Sequence, residues 1–170
     1  MWPRLLIISL LFGFLWTLQA SLLFHFNAIA YSLNLIFVLY YLIVFFQEPR
    51  KHKYGIFSAI VAGFFLDILS LSYLGTSIVS LLVIAFISKY ILFSLKKPKG
   101  EYPISYFIPL FILSFFMSYL LTFAIDYFLH PISTAPFIRK TLLMDITYNT
   151  IIAVFGFYIF KKFRQSRERQ

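Results

Sequence analysis

The sequence predicts an all-α membrane protein with six transmembrane helices and both ends on the cytoplasmic side. Composition is the first reason. Of 170 residues, 61% are hydrophobic, 22% aromatic and only 12% charged, with a mean hydropathy of +0.87, whereas a soluble domain carries about 25% charged residues. The 23 Phe and 12 Tyr exceed what one core of this size buries, but lipid accepts them on outward faces. The second reason is the succession of six apolar segments. The third is where the cations fall: with six crossings, 12 of the 15 Lys and Arg lie on one side, and positive-inside bias makes that side cytoplasmic. Five crossings would break the agreement.

The first helix is expected over residues 5–23, following Arg4. The stretch Leu18-Gln19-Ala20 faintly resembles a secretory cleavage point, but the apolar run continues and is long enough to span. Ser9, Gly13 and Thr17 also mark a close-packing face, so the helix is read as retained. The second helix is expected over 28–46, its start diluted by Ser32 and Asn34. The loop Gln47-Glu48-Pro49-Arg50-Lys51-His52-Lys53 ends it. A third follows over 56–72, a fourth over 76–95, a fifth over 104–129 and a sixth over 141–160. Most approach the roughly 20 residues that cross a ~30 Å core. The segment Lys96-Lys97-Pro98-Lys99-Gly100-Glu101-Tyr102-Pro103 separates the fourth from the fifth, and a basic tail occupies 161–170. No long linker or repeat divides the chain, so residues 1–170 are read as one polytopic domain.

Several functional classes are expected to be absent. With no cysteine there is no thiol catalysis, disulfide framework or thiolate metal site. The net charge of +9 lies between apolar runs, where it orients helices and meets anionic lipid, so no nucleic acid is expected. Glu48 and Glu101 lie in loops, and neither a nucleophile elbow nor a phosphate loop occurs. Asp126 and His130 are four residues apart without an evident third metal ligand. No enzymatic activity, cofactor or metal is predicted.

Polar residues instead fall in lines. Residues four apart share a helix face, and this spacing joins Ala59, Gly63 and Asp67 in the third helix. It also joins Ser114, Ser118, Thr122, Asp126 and His130 in the fifth, and Thr141, Asp145, Asn149 and Ala153 in the sixth. Such stripes are expected to face inward, because helices in lipid associate through small residues and interhelical hydrogen bonds. Asp67 stands out. A carboxylate at that depth costs about 2.5–3.5 kcal/mol on insertion scales, and it lies ~18 Å along the helix from Gly55. Its partner must come from another helix, a wet cavity or its own protonation. Asp126 and Asp145 are placed in the same outer half, Asp145 near a first turn where the helix dipole favours it. Lys89 is expected to snorkel toward the cytoplasmic headgroups.

The run Tyr54-Gly55-Ile56 through Ala62-Gly63-Phe64-Phe65-Leu66-Asp67 to Tyr73-Leu74-Gly75 resembles the rod shape-determining protein MreD family. The match consists of a glycine near the helix start, a Gly-Phe/Leu-x-x-Asp step and a Leu-Gly turn into the next helix. Length, basic tail and Leu18-Gln19 are also similar, whereas Ser32-Leu33-Asn34 stands where the family often has a proline. The resemblance implies a non-catalytic, multi-pass subunit of the bacterial inner membrane. Its expected partners are MreC directly and, in the same cell-elongation complex, MreB, RodA and its transpeptidase, which make peptidoglycan. It also implies a fold similar to the six-helix substrate-capture subunits of vitamin transporters. The candidate structural and partner-interaction residues are Gly55, Ala59, Gly63, Asp67, Gly75, Thr122, Asp126, Asp145 and Asn149. The alternative is a substrate-binding subunit of a small-molecule transporter, with the outer acids as its capture site. A small proton-coupled transporter using Asp67 ranks third.

Overall fold

The computed structural model describes residues 2–25, 33–47, 53–70, 73–95, 102–129 and 142–168. All six elements among them are helices: α1 Trp2–His25, α2 Leu35–Phe46, α3 Lys53–Ser70, α4 Thr76–Ser94, α5 Ile104–Leu129 and α6 Leu142–Glu168. Helices α3, α4, α5 and α6 (over Leu142–Ser166) are long and apolar enough to cross a membrane. The apolar stretches of α1 (Leu5–Ser21) and α2 are shorter.

Two boundaries correct the sequence expectation. Helix α2 begins after Asn34 rather than at Ala28: Asn34 has φ −124° and its side chain accepts from the Phe37 N–H, an N-cap that ends helix propagation toward the N-terminus. Residues 28–32 lie outside the described set. With 12 residues, α2 is ~18 Å long, well short of the ~30 Å hydrocarbon core. At the other end of the chain, α6 continues through the basic tail to Glu168. Lys, Arg, Gln and Glu are good helix formers, and cations near a C-terminus oppose the helix dipole.

Helix α2 is the centre of the bundle and touches every other helix. Its apolar character all round is therefore the mark of a buried helix rather than a lipid-facing one. Phe37, Tyr41 and Phe45, four residues apart, interleave with Phe115, Phe111 and Phe107 of the antiparallel α5. The ring centroids are 5.1 Å, 5.4 Å and 5.0 Å apart, with interplanar angles of 87°, 79° and 85°. These edge-to-face pairs are each worth about 0.5–1.5 kcal/mol beyond area burial. Phe157 of α6 closes the ladder against Phe107 at 4.9 Å. Many aromatic side chains thus sit inside, not only on outward faces.

The small-residue stripe of α3 faces inward, with Gly55, Ser58, Ala59, Ala62, Gly63 and Asp67 all buried. A Cβ on Gly63 would come within 2.5 Å of Ile78 Cα, so the backbones of α3 and α4 approach as closely as glycine permits. Helices α4 and α5 join through two hydroxyl pairs, Ser80 with Thr122 at 3.4 Å and Ser88 with Ser114 at 3.3 Å. On α5 itself the stripe is only partly inward. Ser114 is buried, whereas Ser118, Thr122 and Asp126 are half-buried, because the neighbouring row of Phe107, Phe111 and Phe115 takes the central contact.

Gly63→Ala is expected to destabilise the bundle by about 1–3 kcal/mol through overpacking against backbone, overriding the roughly 1 kcal/mol propensity gain of alanine in a helix. Gly156→Ala should be close to neutral, because the one close approach of its Cβ, 2.6 Å, would be to the Leu42 Cδ1 methyl at the end of a side chain rather than to backbone. Thermal unfolding of both variants in detergent checks the contrast.

Candidate functional site

The polar residues of the bundle concentrate where α2, α4 and α6 begin and α1, α3 and α5 end. Each helix start exposes up to four amide N–H groups with no partner in the helix, and within a bundle in lipid these must be satisfied by protein. Two of the starts are served by side chains from other helices.

At α4 the residue before the first turn, Gly75, adopts φ 109° and offers no side-chain cap. Such a left-handed conformation suits glycine. The cap comes from Asp67, eight residues earlier on α3. Its Oδ2 accepts from the Gly75 N–H at 2.6 Å, and its Oδ1 accepts from the Ser77 N–H at 2.8 Å. Asp67 is 2% exposed. The carboxylate therefore meets two amides and the positive end of a helix dipole, each favouring negative charge. Of the partners the sequence leaves open for it, another helix, a wet cavity or protonation, the structure supplies the first: the Ser77 amide in the first turn of α4, together with the Gly75 amide just before it, so that the Gly-Phe-Phe-Leu-Asp step and the Tyr-Leu-Gly turn form one capping unit.

At α2 three side chains converge. Asn34 Oδ1 accepts from the Phe37 N–H at 2.9 Å, Asn149 Oδ1 from the Asn34 N–H at 2.7 Å, and Gln19 Oε1 from the Leu35 N–H at 3.2 Å. The first belongs to the helix itself, whereas the others reach in from α6 and α1. Asn149, fully buried, also donates through Nδ2 to the Asp145 carbonyl at 2.7 Å. Asp145 is buried in the first turn of α6, where the dipole favours a carboxylate.

The candidate residues thus divide. Asp67 and Gly75 form the α4 cap, and half-buried Asp126 of α5 lies within electrostatic reach of Asp67 and faces Thr76. Among the described residues Thr76 Oγ1 and Asp126 Oδ1 are both buried without a hydrogen bond of ordinary geometry. Thr122 sits about one turn below, paired with Ser80. Asp145 and Asn149 belong with the α2 cap. Ala59 and Gly63 line the α3 seam. Gly55 lies apart at the opposite end, where an added Cβ would come within 2.8 Å of Gln47 Oε1.

At that opposite end Lys89, expected to snorkel toward the headgroups, is instead only 6% exposed; its Nζ donates to the Gln47 carbonyl at 2.6 Å, at the C-cap of α2. The cation answers the negative end of a helix dipole just as Asp67 answers a positive one. Sequence reasoning passed over Gln19, Asn34, Gln47 and Thr76. Asn34 carried a usable signal, since Asn immediately before an apolar run is a favoured N-cap. Gln19 figures only in a cleavage-like stretch and in the family resemblance, and Gln47 only in a loop, and spacing along the chain gives neither a role, because the groups they meet, Leu35 N–H and Lys89 Nζ, lie on other helices.

Among the described residues no group of three or more His, Asp or Glu is placed to hold a metal. The arrangement fixes where helices begin and how they pair.

Asp67→Ala is expected to cost about 2–4 kcal/mol, two charge-assisted bonds at roughly 1.5–3 kcal/mol each less what the freed amides recover from water. Asp67→Asn, which keeps one acceptor oxygen, should lose about half as much. Unfolding of both proteins in the same detergent measures the difference.

Compared with known proteins, the chain matches no family model, no curated protein and no solved structure.

Proposed function

We propose that the protein is a non-catalytic, multi-pass subunit of the bacterial cell-elongation machinery, of the MreD type, that binds MreC and helps couple MreB filaments to peptidoglycan synthesis by RodA and its transpeptidase. The observation that carries this reading is the use made of Asp67. The residue on which the family resemblance turns accepts from Gly75 and Ser77, so the motif Gly63 to Gly75 serves as an architectural joint. A carboxylate held in this way suits a scaffold better than a reactive centre.

The exposed surface supports the same reading. Helix α1 packs chiefly against α2 and α3, and Leu6, Ile7, Leu10 and Phe14 remain exposed on its other side. An edge helix with a free apolar face offers a single-pass partner a place to lie. In the proposed orientation both ends are cytoplasmic, set by the cations at Arg4, in the two basic loops and in the tail, and the polar caps lie in the outer half of the inner membrane.

The alternative, a capture subunit of a vitamin-type transporter, draws on one observation: the unpartnered Thr76 and Asp126 oxygens beside Asp67. Against it, Asp67 itself is occupied by backbone amides.

Purification of the full-length protein from its native membranes in mild detergent separates the two. Recovery of MreC, reduced in Asp67→Ala at equal yield of folded protein, is the expected result. Absence of MreC together with a copurified small molecule lost in Asp126→Asn would overturn the proposal in favour of transport.

A further inference from the structure

The basic end of α6 rises clear of the bundle. The ring centroid of Phe46, the last residue of α2, lies 5.2 Å from that of Phe157 and 5.8 Å from that of Phe160. Phe160 is therefore level with the end of α2, where the chain enters its first basic loop. Helix α6 continues to Glu168, about 12 Å further. No Gly or Pro follows Gly156 within it, so nothing in the sequence kinks it there. Headgroups cover only about 5–7 Å on each side of the hydrocarbon, and a tilt of about 20° shortens the projection by only about 1 Å. Lys161 and Lys162 thus stand among headgroups, whereas Arg167 falls beyond them.

The protruding turns do not suit a bilayer surface. Lys161, Lys162, Phe163, Gln165 and Ser166 are exposed. With about 3.6 residues per turn, the positions of Lys161, Lys162, Arg164 and Arg167 surround the axis, and Phe163 is the one apolar residue from Lys161 to Glu168. A helix that lies on lipid sets its cations opposite an apolar face, and this one has no such face.

Nor does the chain itself neutralise the charge. The side that collects 12 of the 15 Lys and Arg has three carboxylates, Glu48, Glu101 and Glu168. The loops after α2 and α4 bring Arg50, Lys51, Lys96, Lys97 and Lys99 against Glu48 and Glu101, so each adds more positive than negative charge wherever it runs.

We propose that the end of α6 beyond the headgroups is a docking post for an acidic segment of a cytoplasmic protein, a run of Asp and Glu matching its ~12 Å length. Anionic lipid answers the cations at the base, and the partner's carboxylates answer those at the tip. The inference rests on the inward orientation of the chain ends proposed above and on nothing else in that proposal.

The test is fluorescence anisotropy of a labelled oligoglutamate peptide titrated with the full-length protein in nanodiscs, where both faces are accessible. One set of discs is phosphatidylcholine alone and the other includes phosphatidylglycerol; a DNA duplex is the competing ligand. Binding is expected in both discs and in preference to DNA. Arg167→Gln combined with Arg169→Gln should weaken it about tenfold, with thermal unfolding unchanged, and Lys161→Gln with Lys162→Gln, or Lys96→Gln with Lys97→Gln, should weaken it less. Equal losses in all three double variants would overturn the proposal, leaving only diffuse attraction to a basic face. Binding abolished by phosphatidylglycerol would make lipid the occupant, and tighter binding of DNA would make it nucleic acid. The orientation is checked separately: the chain has no cysteine, so Gln165→Cys should resist an impermeant maleimide in intact spheroplasts and react after lysis. Reaction before lysis would overturn the cytoplasmic partner whatever the nanodiscs show.

Discussion

A helix that begins within a bundle surrounded by lipid presents amide protons that its own turns cannot satisfy, and the placement of Asp67, Gln19, Asn34 and Asn149 follows from this constraint. Asp67 meets it for α4, using a side chain of the preceding helix because Gly75 has none to offer. Gln19, Asn34 and Asn149 meet it for α2. The register that the α4 cap sets also carries the Gly63–Ile78 approach, the hydroxyl pairs with α5 and the Tyr40 bond to the Leu81 carbonyl.

The two ends of α2 are handled oppositely. Neutral amide oxygens gather at its N-terminus, and a cation donates at its C-terminus. Between them the helix is held by rings rather than by small residues, through the interleaved α2 and α5 aromatics. The bundle therefore uses two kinds of seam. Small-residue contact brings α3 against α4, where backbones nearly touch; aromatic edges fill the wider space around α2. An apolar helix of 12 residues, shorter than the ~30 Å hydrocarbon core is thick, is stable here because its neighbours replace the lipid.

Much of this was legible in the chain. Composition identified the solvent, four-residue spacing identified the inward face of α3, and the cost of a carboxylate in hydrocarbon singled out Asp67 before any coordinates. Helix α5 was located to the residue, since the polar stretches flanking it change composition abruptly. What escaped has a common cause. Whether an aromatic faces lipid or a partner ring, and whether Lys89 reaches outward or toward a carbonyl, depends on which helices are neighbours, and hydropathy carries no such information. The start of α2 differs for another reason: in hydropathy Asn34 only dilutes an apolar run, whereas its preference for the N-cap position sets where the helix begins. The basic tail was set apart from α6 by charge alone, although its residues favour helix.

The central claim is that the Asp67 carboxylate holds the first amides of α4. Amide hydrogen exchange of Gly75 and Ser77 by solution NMR in lipid nanodiscs addresses it directly. Both amides precede the first intrahelical bonds, so without an outside acceptor they would exchange as fast as loop amides. The account predicts slow exchange at Gly75 and Ser77 in the wild type, comparable with the interior of α4, and rapid exchange at these two positions when Asp67 is replaced. Fast exchange at both in the wild type would contradict it.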